Sequence, residues 1–154
     1  GCRETLYQRI AFSAAPAILL AGIVYVAVRY AQLPAEIPSH YNFYGEIDGY
    51  GSRGTLWITP VIGILCDALM LAVSFFPQTW NVGTSVTVFN RALVYRRVRD
   101  LIADMRLSIA VMFTAFAVWQ TALAPTFPWG MGVLIGVCCT APLVRFFVRL
   151  AMKK

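Results

Sequence analysis

Four long, nearly uncharged apolar stretches constrain this 154-residue chain more than any other feature: residues 10–30, 56–76, 107–124 and 129–150. A bilayer hydrocarbon core of about 30 Å is crossed by about 20 apolar residues in a helix. Inside lipid every backbone N–H and C=O must be paired within the protein, so a spanning segment is a helix or part of a closed barrel. Stretches of this length read as helices. Charged residues make up only 13% of the chain, against about 25% in an ordinary soluble domain. The expected fold is all-α: one polytopic membrane domain over 1–154 with four transmembrane helices. Residues 10–30 are too long for a signal-peptide core and no small-residue cleavage pattern follows them, so they read as a retained anchor.

The formal net charge is +6, and its placement matters more than its size. Basic residues gather in 91–106 and 145–154, each beside an apolar block. Cytoplasmic segments carry such an excess of Lys and Arg. No nucleic-acid recognition module accompanies the charge, so nucleic acid is not an expected partner. The polar connection 77–106 is therefore assigned to the cytoplasm, with both termini. The loop 31–55 and the turn 125–130 are expected to face out. From about Ser85 the connection alternates apolar residues with Arg91, Arg96, Arg97, Arg99 and Arg106. This predicts a surface amphipathic helix, running toward the third span, that meets anionic headgroups or docks a cytoplasmic protein. Pro77, Asn81 and Gly83 mark the turn before it. The four cysteines, Cys2, Cys66, Cys138 and Cys139, have no metal-cage or disulfide spacing.

The loop 31–55 concentrates the remaining chemistry. It holds the sole histidine, His40, with Glu36, Glu46, Asp48 and Arg53. Pro34 and Pro38 fix φ and disfavour helix before them, and four glycines permit tight turns. These features predict an ordered but irregular loop. His40 and Asp48, with Glu46 and Asn42, offer imidazole and carboxylate ligands to a divalent metal. The alternative is that His40 and Asp48 lock the loop by hydrogen bonding while Arg53 pairs an acid. No nucleophile elbow, His-Glu-x-x-His or phosphate loop is present, and a non-enzymatic protein is expected.

Within the spans, Asp67 is an acid near the middle of an apolar block, a costly position. It reads either as a proton or ion site or a contact to a cationic partner, or as a hydrogen-bond partner of a serine, threonine, tyrosine or Gln120 on a neighbouring helix. Gly132 and Gly136 form a Gly-x-x-x-Gly, a candidate helix-packing face.

The loop pattern Leu33-Pro34-x-x-Ile37-Pro38-x-His40, then Gly45-x-x-Asp48-Gly49-x-Gly51-Ser52-Arg53, resembles the N-terminal domain of unknown function of bacterial SdpI-type immunity proteins. That domain likewise follows a first transmembrane helix, and the resemblance implies a bacterial inner membrane as the location. The resemblance implies a binding protein whose outer loop recognises or blocks a peptide toxin or envelope ligand. An accessory subunit of a larger membrane complex, or a homo-oligomer, is the alternative. An ion-translocating protein or membrane enzyme is the third reading.

Overall fold

The computed structural model describes residues 4–80 and 85–152. Cys2, Asn81 and Gly83, named above, and the last two residues of the basic stretch 145–154 lie outside the described residues. Four helices are long and apolar enough to cross a membrane: α1 (Leu6–Tyr30), α2 (Ile58–Ser74, preceded by a 3-10 turn Arg53–Trp57), α3 (Arg91–Gln120) and α4 (Trp129–Ala151). Between α1 and α2 stands an antiparallel hairpin, β1 (Glu36–Tyr41) and β2 (Ile47–Ser52). The architecture is thus mostly helical, as the four stretches require, with a small two-stranded sheet where an irregular loop was expected.

Helix α1 starts on a capping box. The Thr5 hydroxyl accepts from the Gln8 N–H while the Gln8 side chain accepts from the Thr5 N–H. Pro16 lies inside the helix. Helix α3 joins the expected amphipathic segment and third span into one rod. At 30 residues it is about 45 Å long, longer than the hydrocarbon core, so its first turns project beyond it. α3 is central, packing against each of α1, α2 and α4. Its closest approaches are made at glycines other than Gly132 and Gly136. A Cβ on Gly63 of α2 would lie 2.9 Å from Phe113 Cβ, and one on Gly22 of α1 would lie 2.9 Å from the Thr114 methyl. Gly132 and Gly136 have no described neighbour within 4 Å of such an atom. α4 touches the rest of the chain chiefly along one side of α3 and leaves Val133, Val137, Val144 and Phe147 exposed.

At the end away from the hairpin, polar side chains tie α1, α3 and α4 together. Asp104 accepts from the Tyr7 hydroxyl and from Arg145, and Asp100 accepts from Gln8 Nε2 (2.8 Å) and Arg149 Nη1 (3.0 Å). Arg99 pairs with Glu4. Arg99, expected to face headgroups, is therefore neutralised within the bundle, whereas Arg91 and Arg96 are exposed.

Candidate functional site

The hairpin owes its position to the apolar half of the Leu-Pro-x-x-Ile-Pro pattern. Leu33 and Ile37 are buried, 7% and 2% exposed, in a cluster with Val26 of α1, Leu56 and Ala117 of α3. Tyr30, Trp57 and Leu123 pack around that cluster. Arg53 fastens the loop from the other side. Its guanidinium donates to the Leu33 carbonyl (3.1 Å) and lies 4.8 Å over the Tyr30 ring, while its backbone N–H donates to Ala35. The expected ion pair from Arg53 to an acid is not found among the described residues. A backbone carbonyl and an aromatic face take its place.

The tip is built by Asn42. Its side-chain oxygen accepts from the N–H groups of Tyr44 (2.9 Å) and Glu46 (3.0 Å), and its amide donates to the Glu46 carboxylate (3.2 Å). This Asx arrangement closes the turn. Gly45 takes φ +81°, a conformation that L side chains rarely adopt. Its carbonyl accepts from Phe127 N–H (2.8 Å), and Glu46 bridges to Thr126. The hairpin is thereby docked on the α3–α4 turn. The Tyr41 hydroxyl reinforces the docking by donating to the Ala124 carbonyl (2.8 Å). Burial, and secondarily Tyr50, pushes the Tyr41 phenol above its ordinary range.

On this frame, His40 Nδ1 lies 2.5 Å from an Asp48 carboxylate oxygen across the sheet. Both side chains are accessible, 72% and 43% exposed. Beside the pair runs a groove of about 360 Å³ lined by Pro38, Tyr41, Phe43, Phe116, Trp119 and Phe127. Trp119 packs against Tyr41 and Phe127 at ring separations of 5.2 and 5.1 Å. Its indole Nε1 is buried without a hydrogen-bond partner among the described residues. At the tip, Phe43 and Tyr44 are almost fully exposed.

The structure brings together His40 and Asp48, and separately Asn42 and Glu46. Among the described residues no three of His, Cys, Asp or Glu converge as a metal-binding group. Gln120 reaches the groove wall, where its side-chain oxygen accepts from the Thr59 hydroxyl (2.7 Å); among the described residues its amide makes no hydrogen bond to Asp67. Asp67 is matched by Arg106, whose Nε and Nη2 donate to its two oxygens at 2.7 and 2.8 Å. Both side chains are buried. Arg106 was expected on the basic surface face; it is instead the largest fully buried side chain. Trp119 and Arg106 were both missed as site residues. A tryptophan near the end of a span reads as an interfacial anchor, and an arginine at the edge of a basic run reads as its last member.

The model of a domain of unknown function (DUF1648) matches residues 17–64, from mid-α1 through the hairpin to the first turns of α2. An uncharacterized protein of Archaeoglobus fulgidus is 25% identical over 145 residues, covering 84% of this chain and 79% of that relative. No solved structure matches the chain. The matched domain thus coincides with the hairpin and its two supports, while neither similarity names an immunity protein.

Proposed function

We propose that the chain is a non-enzymatic, multi-pass membrane protein that recognises a peptide toxin or envelope ligand on the hairpin face, outside the cytoplasm. The observation that carries this reading is the aromatic groove between the hairpin and the α3–α4 turn. It joins apolar walls, an unpaired indole donor and an accessible imidazole–carboxylate pair on a rigid frame. Such a surface suits an extended peptide, whose carbonyls accept from the indole and whose side chains stack on Trp119 and Phe127. The His40–Asp48 contact acts as a lock and a polar contact, not as a metal centre, since a zinc site takes three or four protein ligands. Nor does Ser39 hydrogen-bond His40 among the described residues, so no nucleophile–base pair supports an enzyme.

The test is survival of cells expressing the chain when challenged with a panel of secreted membrane-active peptide toxins. Expression protects against at least one toxin, and His40→Ala and Trp119→Ala abolish protection at unchanged membrane abundance. Absence of protection across the panel, or full protection by both variants, overturns the reading, and stoichiometric zinc in the purified protein overturns the non-metal role of His40. The lightly covered α4, with Gly132 and Gly136 facing no neighbour, favours a second reading as an accessory subunit of a larger complex. A fixed partner in the native mass of the gently extracted protein would distinguish it.

A further inference from the structure

A second cavity opens sideways on the bundle, far from the hairpin. It is a groove of about 600 Å³ between α1 and α2, walled by Pro16, Leu19, Leu20, Ile23, Ile64 and Leu71. The stretch of α1 that lines it, from Phe12 to Ile23, is about 16 Å long, about half a hydrocarbon core. Arg106 and Asp67 also line it. Their bidentate pairing uses Arg106 Nε and Nη2 and leaves Nη1 buried without a hydrogen-bond partner among the described residues. Phe12 lies 4.7 Å from the same guanidinium. The polar end of the groove is therefore the end away from the hairpin, and the apolar walls continue from it toward mid-membrane.

An unpaired guanidinium N–H in an apolar setting requires an acceptor oxygen. The apolar length beside it requires a hydrocarbon chain. A membrane phospholipid supplies both on one molecule. We infer that the α1–α2 groove holds one acyl chain of an anionic phospholipid from the leaflet opposite the hairpin, with a head-group phosphate oxygen accepting from Arg106 Nη1. This site is independent of the hairpin groove. The exposed Arg91 and Arg96, about 22 and 15 Å along α3 from Arg106 at the same end of the bundle, favour enrichment of anionic lipid in that leaflet.

The test measures lipid retained by the full chain through detergent extraction, by native mass spectrometry, after incubation with phosphatidylglycerol or with diacylglycerol. The latter keeps the chains and lacks the phosphate. Phosphatidylglycerol is expected at one per chain, with at least tenfold higher occupancy than diacylglycerol. Ala68→Trp, at an exposed groove-lining position that makes no part of the Asp67–Arg106 contact, lowers that occupancy at least fivefold. Val137→Trp on the bare side of α4 leaves it unchanged. Equal retention by the Ala68→Trp protein and the wild type overturns the inference, as does equal occupancy by the two lipids. A dimer that Ala68→Trp dissociates also overturns it, because a second copy's helix would then be the occupant.

Discussion

The residues with most at stake are Asp67 and Arg106, because each alone is untenable in lipid. An unpaired charge inside a span is among the least favourable placements a helix can carry. Here two charges meet through two parallel hydrogen bonds, the geometry at which guanidinium and carboxylate bind best. Breaking such a buried pair from one side strands the other charge and costs about 3–5 kcal/mol, whereas replacing both partners by apolar residues of similar volume is often neutral. Arg106→Met and Asp67→Leu should each lower the thermal midpoint of the detergent-solubilised protein sharply. The double variant should recover most of the loss. Additive losses in a thermal-shift cycle would show that the two side chains do not act as a pair. Asp67 is thus explained by packing first, and an ion-conducting role is not needed to account for an acid at this depth. His40 and Asp48 differ in kind: exposed, mutually bonded and outside the apolar clusters, they can be changed with little effect on the fold.

At the scale of elements, small residues decide where helices approach. Gly63 faces Phe113 so closely that any side chain there displaces α3, and overpacking of this kind costs about 1–3 kcal/mol. Gly63→Leu should destabilise the isolated protein by that order, while Gly132→Leu, with open space before it, should stay within about 0.5 kcal/mol. Chemical unfolding in mild detergent checks both, and equal sensitivity would place the packing seam wrongly. This contrast also shows the limit of what sequence made legible. The four spans were readable because lipid admits few alternatives to about 20 apolar residues in a helix. Gly132 and Gly136 matched a spacing, but spacing says nothing about which face meets a neighbour. The hairpin was hidden for a related reason. Pro38 interrupts β1, glycines occupy Gly49 and Gly51 of β2, and so the alternation that announces a strand is largely erased. What stayed hidden in α3 was the inward pairing of Arg99 and Arg106, because their partners Glu4 and Asp67 lie distant in sequence. The docking of Leu33 and Ile37 gives the recognisable motif its physical sense: one half is an apolar plug, the other an exposed polar pair.

For the whole molecule, the arrangement of charge and the route of the chain make one joint statement about orientation. Following α1, α2, α3 and α4 in turn, the hairpin and the α3–α4 turn fall at one end. Residues 75–80 and the starts of α1 and α3 fall at the other, with Arg9, Arg91, Arg96, Arg97 and Arg149. The hairpin end retains Arg29 and Arg53, and Arg53 is spent on the Leu33 carbonyl and Tyr30. The Lys and Arg bias of short connections is the basis on which we propose that the hairpin lies outside. A ligand-recognition role depends on that placement, since a hairpin facing the cytoplasm could not meet a secreted peptide. With the four native cysteines replaced by alanine, Phe43→Cys at the fully exposed tip should react with a membrane-impermeant maleimide in intact cells. A cysteine at Ser85, in the opposite connection, should react only after the membrane is opened. Reversed labelling would turn the molecule over and remove the basis for recognition of an external ligand. It would leave the bundle, the Asp67–Arg106 pair and the docked hairpin intact, because none of them depends on which side is which.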